Sequence, residues 1–389
     1  MNDNGFNIHR GVNVSHLFVD AHLPYGDRKS YFNQTDISLI VRFGLDHVRI
    51  PVLEERLWKE DDRADEDAFS YLDHVIRLSL KSGLKVILCL HELRTHRFSS
   101  MGVVTPRLFL ESDAVNGFCR RWEELSRRLK IFPEEHLAYE LLNEPLAPED
   151  EQWNQVLRKA YATVRSNEPT RSLLVGSNYF QRPEKLKRLW TPANDRNLIK
   201  SFHFYYPELL THYKADWSSL GKYEGPINYP GRPVPDHRQH LIENLGTSPE
   251  ALNQPFSKLI MLKILKDASR NGQTPIHCGE FGCHKMAPQL QKNIWYRDIV
   301  ECFEQLAIPW THWDWKGNFG ILNQEDWKPC GIHKAMNLKT PNSGFPKKSN
   351  ESILRNTRVR FGHFLSKSPR LYSAYQKCKR KFSISLNRE

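Results

Sequence analysis

Short apolar runs, each closed by a polar or chain-breaking residue, alternate along this chain with stretches whose apolar positions fall three and four residues apart. The first pattern reads as buried strands and the second as helices packed on one face. Strand candidates occupy 5–13, 46–52, 85–91, 137–142, 172–176, 198–207, 275–282 and 309–315. Helical patterns run through Phe69, Leu72, Ile76 and Leu80, then through Phe118, Trp122, Leu125 and Leu129, and then through Trp153, Val156, Leu157, Ala160, Tyr161 and Val164. Two more follow, through Phe256, Leu259, Ile260, Leu262 and Leu265 and through Ile294, Ile299, Val300 and Phe303. Pro51 and Pro145 are expected to end the ladders of the second and fourth strands, because proline has no N–H to donate.

Eight strand candidates alternating with helical patterns predict an α/β fold, a (β/α)8 TIM barrel, over residues 1–335. The stretch from about 206 to 255 is a long loop, and from 218 its Gly, Pro, Asn and Tyr residues show no sustained period. Loops of that length are seldom idle in compact domains. On a barrel's catalytic face this one would wall a cleft, with a disordered insertion as the competing reading.

A parallel barrel keeps its chemistry at the C-terminal ends of its strands. Arg49, His91, Asn143, Glu144, His203, Tyr205, Glu280 and Trp313 all fall at such ends. Asn143 and Glu144 close the run Leu141-Leu142-Asn143-Glu144-Pro145, and Glu280 closes Pro275-Ile276-His277-Cys278-Gly279-Glu280-Phe281-Gly282. Two carboxylates on two strand ends are the groups that glycosidic bond cleavage requires. Taken alone they also suit a sugar isomerase, an aldolase or a structural ion pair. Arg49 on its own fits a structural ion pair, and His91 a satisfied core histidine.

The Asn143-Glu144-Pro145 segment, Gly279-Glu280-Phe281-Gly282, the opening Arg10-Gly11-Val12-Asn13, the His203-Phe204-Tyr205 triplet and Trp313 together resemble glycoside hydrolase family 5, the cellulases and their relatives. Thr211-His212-Tyr213-Lys214-Ala215-Asp216-Trp217 is similar to a Thr-His-Gln-Gly-Ala-x-Trp segment of some bacterial members, with Tyr213 and Lys214 in place of Gln and Gly. The resemblance implies a retaining β-glycosidase with Glu144 as acid/base and Glu280 as nucleophile. It also implies that Arg49 and Tyr205 keep Glu280 ionised, and that Asn143 bonds the sugar 2-hydroxyl. His91 and His203 would add polar contacts, and Trp313 would lie beneath the reacting sugar. Asp314 and Lys316 are candidate specificity contacts. Glu144 needs a raised pKa, which an apolar setting or the charge of Glu280 would supply.

The default substrate is β-glucan or a gluco-oligosaccharide. Mannan, xylan and β-1,3-glucan are the alternatives inside the family, and a non-catalytic carbohydrate-binding or biosynthesis-accessory protein is the alternative outside it. No cofactor is implied, and no metal: His-Glu-x-x-His, Walker, dinucleotide and Gly-x-Ser-x-Gly patterns are missing. The expected partner is a β-linked oligo- or polysaccharide, the expected state a monomer, and nothing interleaves aromatic with basic residues as a nucleic-acid module does.

Charge changes the picture at one place. Residues 347–389 hold twelve Lys and Arg against two Glu, so they carry ten of the eleven net positive charges. Residues 336–389 are therefore read as a basic C-terminal extension. Phe361, Phe364, Leu365, Leu371 and Tyr372 favour a helix packed on the barrel over contact with a membrane surface or an acidic polymer. Seven scattered cysteines suit a reducing compartment, and Cys278 and Cys283 read as packing residues beside Glu280. The first six residues lack a basic start and an apolar core. The expectation is a cytoplasmic protein, or a secreted one whose signal has been removed.

Overall fold

The structure is a computed structural model that describes residues 5–19, 31–97, 106–245, 248–270, 272, 274–323 and 326–345. Eight parallel strands close into a barrel in sequence order: β1 (Arg10–Asn13), β2 (His47–Leu53), β3 (Lys85–Glu92), β4 (Leu137–Glu140), β5 (Leu173–Gly176), β6 (Leu198–Phe204), β7 (Ile276–Phe281) and β8 (Trp310–His312). Around it lie α1 (Gln34–Arg42), α2 (Glu66–Lys81), α3 (Ser112–Leu129), α4 (Asp150–Asn167), α5 (Lys258–Ser269) and α6 (Gln289–Gln305). Between β5 and β6 the outer layer is a 3-10 turn, Pro183–Arg188. The predicted (β/α)8 fold is the fold observed.

Period two decides what the barrel holds. Ile87, Ala138, Leu174 and Ile199 point inward from neighbouring strands and pack with Phe6 in one apolar cluster. Two residues further along each strand the inward positions are Cys89, Glu140, Gly176 and Ser201, and the interior turns polar. Helices enclose this core through tryptophans whose indole N–H groups reach carbonyls at the strand exits. Trp122 donates to Leu141 O (2.9 Å), Trp153 to Gly176 O (2.9 Å) and Trp295 to Tyr206 O (2.8 Å). α1, which the sequence patterns did not mark, starts at a capping box: Thr35 N donates to Asn33 Oδ1 and Asn33 N to Asp36 Oδ2.

Three expectations change. Pro51 does not end β2, whose pairing with β3 continues through Pro51–Cys89 and Val52–Leu90. Arg49 O accepts from Val14 N and Leu53 N donates to Phe18 O, so odd positions of β2 face β1. The N–H that Pro51 lacks therefore points to a side that β1 has already left for the turn Ser15–Leu17. The fourth strand stops at Glu140, earlier than expected, although Leu141 N and Asn143 N still donate to Leu174 O and Leu90 O. In α5 the buried positions are Met261, Leu265 and Ala268, while Leu259 is 79% and Ile260 37% exposed.

Where it is described, the 206–255 stretch is built of short turns around buried side chains. It carries the 3-10 turns Ser219–Lys222 and Asp236–Ile242 and the helical turn Pro249–Leu252, and it buries Leu220, Tyr223, Ile227, Tyr229, Val234 and Ile242. Gly231 and Phe256 exchange two backbone hydrogen bonds of 2.9 Å, and Tyr229 donates to Asp298 on α6. Aperiodicity here reflects turns, not want of a core.

Residues 336–345 stay against the barrel, with Lys339 N donating to Phe43 O and Arg42 to Ser343 O. The rest of the basic extension, 346–389, lies outside the described residues. No helix among the described residues is long and apolar enough to cross a membrane, and the described cysteines are all free.

Candidate active site

Arg49 is the hub of the polar end of the barrel. Its side chain is wholly buried, and each of its five N–H donors has an acceptor. Nε donates to Glu140 (2.6 Å). Nη1 donates to Asn13 Oδ1 and Glu280 Oε1 (2.8 Å each), and Nη2 to Asn143 Oδ1 (2.6 Å) and Cys89 Sγ (3.2 Å). A buried guanidinium is tolerable only when paired and saturated in this way.

Glu280 owes its inward direction to a bulge. Along β7 the pairing with β6 runs Ser201–His277 and Phe202–Cys278 and then jumps to His203–Glu280, omitting Gly279. That step rotates Glu280 to the barrel interior beside His203. Glycine suits the skipped position, since a Cβ there would lie 2.9 Å from Ser201 Oγ and 3.2 Å from His203 Nε2. Glu280 then receives Arg49 Nη1 on one oxygen and the Tyr205 hydroxyl on the other (3.0 Å). Burial raises its pKa, while His203, Arg49 and Tyr205 act against the rise.

Glu144 sits just past β4 on a left-handed residue, φ 44°. Its carboxyl shares a hydrogen bond of 2.7 Å with His203 Nδ1, and 15% of the side chain still reaches solvent. Burial pushes its pKa up to about 8, with the Arg49 charge opposing and Glu140 adding to the rise. The buried setting expected from the sequence is the main cause, and Glu140 is a negative neighbour the sequence did not mark, beside the mutual repulsion of Glu144 and Glu280. His203 lies between the two carboxyls, its Nδ1 2.7 Å from Glu144 and 3.6 Å from Glu280. Burial lowers its pKa to about 4, so it is neutral near pH 7.

Carboxyl oxygens of Glu144 and Glu280 and a His203 nitrogen all lie within 4.8 Å of one another. Among the described residues this is the one such group compact enough to hold a cation. Arg49 already places a positive charge 2.8 Å from Glu280, which disfavours a second one.

The remaining expected residues gather at the same place. Asn143 is buried, and since Arg49 occupies its Oδ1, its Nδ2 faces the site without a protein partner. Trp313 stands half-buried just past β8, stacked on His91 at 5.6 Å and 9°. All eight predicted positions therefore meet at one rim. Asp314 and Lys316 do not join them. Asp314 turns inward to Ser15 Oγ and Gly317 N, and Lys316 pairs with Asp36 of α1.

Sequence reasoning missed Glu140 and Gln181. Glu140 accepts from Arg49 Nε, Gln181 Nε2 (3.0 Å) and Ser201 Oγ (3.2 Å). Burial alone would raise its pKa, but the charge and hydrogen bond of Arg49 outweigh burial and lower it. The signal was an acid inside the apolar run Leu137–Leu142. Gln181 lies in a loop with no motif.

A family model described as Cellulase (glycosyl hydrolase family 5) matches residues 1–319. The chain belongs to glycoside hydrolase family 5. Endoglucanase C of Acetivibrio thermocellus is 30% identical over 84% of this chain and 94% of its own length. Cellodextrinase A of Ruminococcus flavefaciens is 25% identical over 90% and 92%. The fold matches that of Thermotoga maritima Cel5A, solved in complex with cellobiose, at a TM-score of 0.67 and 22% identity, covering 86% of this chain and 98% of that one. As a family 5 member the protein is a retaining, cellulase-like glycoside hydrolase. Membership also gives sense to Lys214. It falls at the glycine position of the segment this stretch resembles and takes a left-handed backbone, φ 56°, while Tyr213, at that segment's Gln position, buries its ring and donates to Gly225 O.

Proposed function

We propose that this protein hydrolyses β-1,4-linked gluco-oligosaccharides by double displacement, with Glu280 as nucleophile and Glu144 as acid/base. The supporting observation is the separation of the two carboxyls. One oxygen of each lies within 4.8 Å of the other, a close approach that favours the carboxyl spacing of about 5–5.5 Å used for retention over the roughly 6.5–9.5 Å that admits a water for inversion.

In the first step Glu280 attacks the anomeric carbon while Glu144 gives its proton to the departing oxygen. The division follows from surroundings. Glu280 has two donors, one cationic, while Glu144 shares a hydrogen bond with a neutral histidine and retains its proton near pH 7. Once Glu280 is a neutral ester the acid is relieved of one negative neighbour and takes a proton from the incoming water. Asn143 Nδ2 donates to the sugar 2-hydroxyl, a contact that strengthens as the oxocarbenium character grows. The exposed part of Trp313 offers its face to the pyranose C–H groups.

Gluco-oligosaccharides are favoured because the relatives are named endoglucanases and a cellodextrinase. A second reading, β-mannoside cleavage, is supported by a neighbour of the same fold solved with mannotriose. Turnover of aryl β-cellobioside by the wild type, its loss in Glu280→Ala and partial rescue by azide with inverted product would support both the mechanism and the nucleophile. Preference for aryl β-mannosides would replace the substrate. Silence across glucan, mannan and xylan oligosaccharides would leave the non-catalytic reading.

A further inference from the structure

The turn between β5 and the 3-10 turn Pro183–Arg188 carries no motif, yet among the described residues it holds the longest run of left-handed non-glycine residues. Tyr179, Phe180 and Gln181 are successive left-handed residues, φ 66°, 61° and 53°, and none is glycine. Such a conformation persists only where surrounding contacts over-determine it. Here those contacts lead to the acid/base. Tyr179 N and Phe180 N both donate to Pro145 O (2.8 and 3.3 Å). The Asn178 amide exchanges two hydrogen bonds with the Ala147 backbone. Gln181, fully buried, accepts from Glu144 N through Oε1 (2.7 Å) and donates through Nε2 to Glu140 Oε1 (3.0 Å) and Ser201 Oγ (3.1 Å).

Gly176 completes the arrangement. A Cβ at that position would lie 2.3 Å from Gln181 Cδ, so only glycine at the end of β5 lets the amide pass beneath the site. The plain alternative is a satisfied core glutamine. What sets Gln181 apart is that its acceptor holds the backbone of the proton donor while its donor holds the anion facing that proton donor. Glu144, itself left-handed, has no other grip on its backbone N–H within the described hydrogen bonds.

We infer that Gln181 is a positioning residue for proton transfer: it locks the Asn143–Pro145 turn and fixes Glu140 against Glu144, so that the acid faces the departing oxygen. This rests on the reading of Glu144 as acid/base. The charged groups facing Glu144 are Arg49, Glu140, Arg182 and Glu208, with His203 sharing its hydrogen bond and Glu280 across the site. Loosening the turn leaves all of these in the chain but admits water to Glu144, so its proton is lost at lower pH.

Gln181→Met keeps length and removes all three side-chain hydrogen bonds. Gln181→Asn stays neutral and polar but is one methylene too short to bridge Glu144 N and Glu140, and serves if the first variant melts below assay temperature. Two readouts separate positioning from general damage. First, kcat/KM for phenyl β-cellobioside, whose leaving group needs the proton, should fall about 10- to 100-fold, while that for 2,4-dinitrophenyl β-cellobioside stays within about threefold. Second, the Glu144 titration, followed by NMR of 13C-labelled glutamate and assigned with Glu144→Gln, should move down by about one unit or more. Equal losses on both substrates, or an unmoved titration in a folded variant, overturn the inference. If the wild type cleaves neither substrate, the functional reading fails and the titration alone decides the role of Gln181.

Discussion

The rim of β7 and the turn after β4 each present one glutamate to the same space, and they do so by opposite means. Glu280 comes from within a strand, turned inward by a bulge, and its two oxygens are taken by Arg49 and Tyr205. Glu144 comes from beyond a strand end, on a left-handed residue, and its carboxyl meets only a neutral histidine while part of it stays open to solvent. Two identical side chains within 4.8 Å thereby acquire different proton affinities. Backbone geometry chose the neighbours, and the neighbours separate the roles.

Removing the better-held carboxyl should have the largest effect. Glu280→Ala is expected to lower kcat/KM by about 10^4-fold or more. Added azide should restore part of the turnover and give the α-linked glycosyl azide, readable by proton NMR. A β-linked product would exchange the two roles.

Glu144→Ala should cost about 10^2- to 10^4-fold on substrates with poor leaving groups and far less on activated ones. In the wild type the acid must be protonated, so kcat/KM should fall as pH rises through about 8. The acid limb belongs to Glu280, which must be ionised, and lies above the usual carboxylate range because burial raises that group. A profile of kcat/KM against pH from 4 to 10 checks both limbs, and an alkaline limb unchanged in Glu144→Gln would assign it elsewhere.

Arg49→Lys tests the hub common to both regions. Lysine brings three donors without the planar fork and leaves part of the Glu140, Asn143 and Glu280 set unpaired. Breaking such a buried pair costs about 3–5 kcal/mol, visible as a lower melting temperature and denaturant midpoint alongside lost activity. Tyr205→Phe should act least. It takes one donor from Glu280, so the nucleophile's pKa rises and the acid limb of the profile moves to higher pH, with about tenfold lower activity below neutrality. A limb that moved down would mean that Tyr205 does not stabilise the anion.

How far the sequence reached differs between fold and site. Strand candidates at 46–52, 85–91 and 275–282 were legible because parallel strands covered on both faces read as short apolar runs. Pro51 misled because the cost of a missing N–H depends on which neighbour it faces, and that neighbour is set by the turn at Ser15–Leu17, not by local sequence. Leu259 and Ile260 misled because helical spacing names a face without naming what covers it.

By itself the sequence determined the alternation of strands and helices, the polar residues that close each strand, and the family motifs that single out Glu144 and Glu280. Those are local properties, written in period and spacing. Only the closed barrel decided that Glu140 and Gln181 belong to the site, that Asp314 and Lys316 do not, and that Glu140 is a further negative neighbour helping to raise Glu144. Such facts depend on which side chains from distant strands meet in a shared interior of low dielectric, where burial and one guanidinium set the charge of every carboxyl present.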